Sequence, residues 1–217
     1  MIQQKSDRGQ IIGMNRKTQK RTYETKARIL EAARQLTDGK PFDTVSMDAI
    51  ARQSGVAKGS LFAHFADKSG LLSHVVAERL QAIVDHWEIE GAARGSELEE
   101  LLDRSMALVD LLSADRAVLQ IYLDYSGATS SNVSEPFSAS LEALENRLFS
   151  FLFRWREKGG APFALRTDLD VAALASGVSA FVTTAAIYRA CDRIASRADC
   201  IALLESQFRA WLRGPAA

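Results

Sequence analysis

The chain has 217 residues, 47% of them hydrophobic and 25% charged, with 27 basic and 27 acidic side chains and no net charge. That is the make-up of a soluble globular protein of one large or two modest domains, less basic than an architectural DNA protein would be. The neutral total hides an asymmetry: residues 1–85 hold 14 Lys/Arg against 9 Asp/Glu, and residues 86–217 hold 13 against 18. A basic front half and an acidic back half suit a nucleic-acid-contacting domain joined to one that stays clear of it.

Two cysteines, Cys191 and Cys200, lie at neither a metal nor a CxxC spacing. They read as small buried apolar residues, and a redox pair is unsupported. The start, MIQQKSDRGQ, has no apolar core of a signal peptide, so the expected compartment is the cytoplasm, associated with the nucleoid.

In chain order, residues 1–21 read as a basic arm in which Arg16, Lys17, Lys20 and Arg21 are candidates for phosphate or minor-groove contact. Ile29, Leu30, Ala33 and Leu36 form a helical stripe, broken by Gly39-Lys40-Pro41-Phe42. Ser46 is a good N-cap, and a candidate DNA contact, for a helix with Met47, Ile50 and Ala51 on its inward face. Gly55 takes the sharp turn that follows, with Val56 under it. The next helix spans Lys58 to Phe65, with Leu61 and Phe65 inward and Lys58, Gly59, Ser60, Phe62 and His64 left for a groove edge and phosphates. Asp67 caps a further helix, which Lys68 opens as a candidate phosphate contact. Helix, glycine turn and helix in this order are the sequence shape of a helix-turn-helix DNA reader.

The residues Ile50-Ala51, Gly55-Val56, Lys58-Gly59-Ser60-Leu61-Phe62, His64-Phe65 and Lys68 through Leu71-Leu72 resemble the tetracycline-repressor (TetR/AcrR-type) family of bacterial transcription regulators, from roughly Thr22 to Arg79. Phe62 stands where that family usually carries tyrosine, so a phenolic contact to phosphate is lost. Ala57 stands where serine is common, which leaves the second helix without a side-chain cap and its free N–H groups turned toward a phosphate. The resemblance implies a homodimer and a small-molecule pocket in the rest of the chain.

Beyond Arg79 every element reads as helix. The helix from Asp67 is expected to run to about Glu90 and to stop at Gly91 and Gly95. Leu98, Leu101, Leu102, Met106, Val109 and Leu112 stripe a second, and Val118, Leu119, Tyr122 and Leu123 begin a third. A polar loop from Gly127 to Ser134 precedes a long helix to about Lys158, with Pro136 in its first turn and Leu141, Leu144, Leu148, Phe149, Leu152 and Trp155 inside. Two last helices start near Asp168, with Asp168 and Asp170 as caps, and near Arg197. The apolar run Val171–Tyr188 is broken by serines, threonines and a glycine, and reads as a buried helix rather than a membrane span.

The expected architecture is therefore all-α: an arm (1–21), a three-helix helix-turn-helix domain (22–82) and a helical bundle (83–217) for dimerisation and ligand binding. Small residues and Val178, Phe181 and Val182 on one helix, with Leu204, Phe208 and Trp211 on the last, suit a four-helix interface between two copies. An aromatic set of Trp87, Met106, Tyr122, Tyr125, Phe149 and Phe153, with His86, is the candidate ligand site. The ligand would tilt the helix from Asp67 and so move the reading helices. No metal or cofactor is expected. His74 and His86 are not at ligand spacing, and Gly159-Gly160 runs into proline rather than a phosphate-binding helix start. No nucleophile–base pair or paired carboxylates mark an enzyme. The expected function is a DNA-binding regulator, a repressor freed from a palindromic operator by a small molecule. A structural DNA-associated protein without a ligand is the second choice, and an all-α enzyme the last.

Overall fold

A helix needs an apolar stripe to bury, and in this chain the stripes set every packing contact. The structure, a computed structural model, describes the backbone of residues 4–88, 95–126 and 133–214 and the side chains of 19–87, 95–126 and 133–214. Within that span the elements are α1 (Gln4–Thr37), a 3₁₀ turn (Phe42–Thr44), α2 (Met47–Ser54), α3 (Lys58–Phe65), α4 (Lys68–Glu88), α5 (Glu97–Ser113), α6 (Arg116–Tyr125), α7 (Glu135–Lys158), α8 (Val171–Ala190) and α9 (Arg197–Leu212). Among the described residues there is no strand, only an isolated bridge between Leu165 and Arg213. The backbone divides into two units, residues 1–71 and 72–217.

In the first unit Ile29, Ala32 and Ala33 of α1 meet Phe42, Val45, Ile50, Ala51, Leu61 and Phe65, all buried. Residues 4–21, read from the sequence as an arm, are the first turns of α1; the side chains of Arg16 and Lys17 lie outside the described residues. The Ser46 hydroxyl accepts from the Ala49 N–H at 3.1 Å and starts α2. Gly55 ends it in the left-handed region, φ 64° and ψ 32°, which a side chain would disfavour. The Asp67 carboxylate accepts from the Gly70 N–H at 2.6 Å and starts α4. A Cβ on Gly70 would press on the Phe65 carbonyl oxygen.

In the second unit α8 packs against α5, α6, α7 and α9. Each helix start has its own device. Ser96 and Glu99 form a reciprocal capping box on α5. Asp115 caps α6, Asp170 caps α8 and Ser196 caps α9. Asp168 does not cap; its carboxylate takes two hydrogen bonds from Arg166, at 2.8 and 2.6 Å, because that guanidinium is two residues away with its fork free to pair. The expected stop at Gly91 and most of the loop from Gly127 to Ser134 lie outside the described residues. Phe149, expected inside, is 42% exposed. The inward face of α7 instead runs through Leu141, Leu144, Leu148, Phe151, Leu152 and Trp155, steps of three and four that leave position 149 about 100° off the face.

The small residues of α8 have a use within the chain. The Trp211 indole of α9 lies on Gly177, where a Cβ would collide with the ring, and its Nε1–H donates to the Leu174 carbonyl at 3.2 Å. Gly177→Val should therefore lift Trp211 off α8 and lower stability by about 2 kcal/mol, the usual cost of overpacking. Urea unfolding followed by tryptophan emission checks this; an unchanged midpoint would place the indole elsewhere.

Candidate functional site

The candidate reading helix, α3, is positioned by its two buried residues. Leu61 is 0% and Phe65 3% exposed, and the Gly55 turn aims the chain back over α2. No side chain caps its N-terminus at Ala57, so the N–H groups of its first turn face outward as a partial positive pole. Lys58, Gly59 and Phe62 are exposed, whereas Ser60 and His64 are half-buried. Nothing lies within 4 Å of where a Cβ on Gly59 would be, so that backbone is open to close approach.

The two lysines differ. Lys58 is exposed and its ammonium pairs with Asp48 at 2.7 Å, a bridge that a phosphate can displace at small cost. Lys68 is tied into the unit: it donates to the Asp43 carbonyl at 3.1 Å and stands 5.2 Å over the Phe42 ring. Its first duty is to clamp the 3₁₀ turn to the start of α4, a role hidden from sequence because Asp43 is far away in the chain. Ser46 serves as the cap of α2. Lys20 and Arg21 are exposed on α1, with Lys20 3.8 Å from Glu24.

The second unit holds a cavity of about 150 Å³. Trp87, Tyr122 and Tyr125 line it, as do Arg104, Leu141, Leu148, Val178 and Val182. The remaining ligand candidates lie off it: Met106 is fully buried, His86 is exposed, and Phe149 and Phe153 stack on each other at 6.4 Å on the outer face of α7. Of the interface candidates, Val178, Val182, Leu204 and Phe208 are buried within the unit, with Val178 and Val182 on the cavity wall. Phe181 and Trp211 are half-buried, their rings edge-on at 6.2 Å.

Sequence reasoning missed Arg104. It is 8% exposed, pairs with Glu100, donates to the Trp87 carbonyl at 3.1 Å and lies 4.9 Å over the Trp87 ring. Its signal was present: Arg104 falls three residues after Leu101, on the apolar stripe of α5, with Glu100 one turn before it. Its charge is compensated on the spot, as a buried charge must be.

Elsewhere on the lining the Tyr122 hydroxyl and Thr183 Oγ1 are 3.0 Å apart, and Thr183 donates its one proton to the Ser179 carbonyl at 2.8 Å. Tyr122 is therefore the donor to Thr183, and its own oxygen retains accepting capacity. Burial pushes the Tyr122 phenol above the usual tyrosine range, and the Glu145 charge adds to this. Tyr125 is raised by burial and by Glu145 and Glu142. Among the described residues no cluster of three or more His, Cys, Asp or Glu could hold a metal.

Residues 29–75 match the family described as bacterial regulatory proteins, tetR family. An HTH-type transcriptional regulator of Staphylococcus aureus (strain USA300) is 35% identical over 65 residues, 30% of this chain. The chain spans about a third, 35%, of that relative's length. Among solved structures, FadR from Bacillus subtilis in complex with stearoyl-CoA is 19% identical with a TM-score of 0.58, over 88% of this chain and 99% of that one. FadR from Thermus thermophilus in complex with lauroyl-CoA is 20% identical with a TM-score of 0.64, over 88% and 95%. RolR in complex with resorcinol is 15% identical with a TM-score of 0.64, over 91% of each chain. These three share the fold across both units. The family and the curated relative are regulators, not enzymes.

Raised folded-state ionisation of Tyr122 favours the native state below the ordinary tyrosine pKa of about 10, and that contribution is lost as pH rises through the raised value. In a titration followed at 295 nm, a late phenolate phase is expected that Tyr122→Phe removes. A Tyr122→Phe trace identical to wild type would mean that this phenol is not buried.

Proposed function

We propose that this chain is a homodimeric transcription regulator, a repressor that binds a two-fold operator through α3 and is released by a small molecule held in the second unit. The observation that carries the reading is α3 itself: a helix fixed by Leu61 and Phe65, uncapped at its N-terminus, with Lys58, Gly59 and Phe62 exposed along it. Ser60, half-buried beside them, is the best placed for a base edge, and His64 follows one turn on. Phe62 offers apolar contact with a thymine methyl or a sugar. Lys58 exchanges Asp48 for a phosphate. Lys68 adds charge near the backbone while keeping its clamp.

Pairing of two copies is supported by α8 and α9. Val171–Ala190 is apolar enough to cross a membrane, yet a third of it is buried within the chain. Most of the rest is half-buried, with Ala172, Ser176 and Ala180 exposed; this small-residue face, with Phe181 and Trp211 half-buried nearby, is one that the same face of a second copy would cover. A single reading helix rarely gives enough specific affinity, which makes a dimer on a symmetric site the economical arrangement. The effector reading is supported by the cavity and by the relatives in ligand complexes. Ile83 and Trp87 at one end of α4 line the cavity, and α4 begins at Lys68, just after the end of α3 at Phe65. A ligand that shifts α4 resets α3. Such a ligand must bind the released form with greater affinity, by about 5.5 kcal/mol for a full switch. The cytoplasm, as for bacterial regulators of this family, is the expected compartment.

Gel shift on the DNA upstream of the protein's own gene tests the reading. Lys58→Ala should weaken binding and lower its salt slope by about one unit. A Cβ at exposed Gly59 has no protein atom within 4 Å, so in Gly59→Leu stability should hold, since leucine is the better helix former by about 0.8 kcal/mol, while operator affinity collapses. Operator binding by Gly59→Leu equal to wild type would remove α3 from the interface. Phe181→Asp places a charge on the apolar face and should split the dimer; sedimentation of the wild-type chain as a folded monomer at micromolar concentration would refute the assembly.

A further inference from the structure

Taking the cavity as the effector site, as above, we infer that its ligand is a compact one-ring compound carrying a hydroxyl and a second hydrogen-bonding group, rather than a long-chain acyl compound. The first ground is size. About 150 Å³ is the volume of an apolar protein cavity that accepts benzene. A chain of a dozen or more methylenes does not fit inside that volume. The second ground is an unmet donor. Trp87 lines the cavity and is 8% exposed, and its buried Nε1–H has no acceptor among the described residues. A buried N–H left unpaired costs about 1–3 kcal/mol. The Arg104 guanidinium lies over the Trp87 ring and holds its carbonyl, so the indole is pinned rather than free to turn away. The third ground is the spare acceptor across the site. Tyr122 spends its proton on Thr183, because Thr183 spends its own on Ser179, which leaves the Tyr122 oxygen to accept from a ligand hydroxyl.

Aliphatic walls from Leu141, Leu148 and Val182 around one ring's volume, with the Trp87 donor and the Tyr122 acceptor beside further polar lining from Arg104 and Glu145, describe a hydroxylated monocyclic aromatic. The walls supply affinity through burial. The two polar groups supply discrimination, since an analogue without its hydroxyl or carbonyl leaves the protein group unpaired.

Calorimetry on the full-length protein with 4-hydroxybenzaldehyde, toluene and lauroyl-CoA tests this without any operator. The aldehyde is expected to bind, and toluene to bind about tenfold or more weaker, the cost of two unpaired groups. Trp87→Phe and Tyr122→Phe should each weaken the aldehyde about fivefold or more and leave toluene unchanged. Val178→Phe, with folding verified by its thermal transition, should exclude both rings. Failure of the aldehyde to bind at millimolar concentration, equal affinity in Trp87→Phe and Tyr122→Phe, or lauroyl-CoA binding that survives Val178→Phe overturns the inference. Operator release is scored separately. Rings that bind as described but leave the operator bound refute the regulatory reading and not the ligand class; lauroyl-CoA releasing the operator while the rings do not bind refutes the ligand class alone.

Discussion

Eight residues cannot hold a helix in water, and α3 has eight. Its existence depends on burying Leu61 and Phe65 among Ile29, Ile50 and their neighbours. That one constraint orders the rest of the first unit. Gly55 must turn in the left-handed region to bring α3 back onto α2, and Gly70 must lack a side chain so that α4 can start beside the end of α3. What faces outward is then fixed as the remainder: Lys58, Gly59 and Phe62, with Ser60 and His64 at the edge. The proposed reading surface is the unburied side of a packing problem.

The second unit meets the opposite demand. α8 is long and apolar, and it is covered on one side by α5, α6, α7 and α9. Gly177 admits the Trp211 ring and ties α9 to α8. The packing is not complete. A void remains between Val178 and Val182 on one side and Leu141, Leu148 and Trp87 on the other.

Much of this was legible in the sequence because local chemistry decided it. Ser46, Gly55, Asp67, Pro136 and Asp170 mark their helix starts and stops through contacts within a few residues, and the stripes of α5 and α7 follow the helical period. The all-α class and the inward pair Leu61 and Phe65 follow from the same signals. The site was harder to read. Phe149 and Phe153 are aromatic like Trp87 and Tyr122, and composition cannot separate them. Only the phase of α7, set by Phe151 and Leu152, turns them outward. Lys68 read only as a phosphate contact because its partner Asp43 lies 25 residues back in the chain, and Arg104 was passed over because burial of an arginine depends on Trp87 from another helix. Residues whose role rests on distant partners were the ones the sequence could not place.

The central claim is that α3 reads DNA sequence as one half of a two-fold pair. Selection of bound sequences from a random DNA library by the full-length protein tests it directly. The account predicts an enriched site of two inverted half-sites whose centres lie one helical turn, about 10–10.5 base pairs, or a multiple of it apart. Enrichment of no sequence, or of a single site without two-fold symmetry, would contradict it.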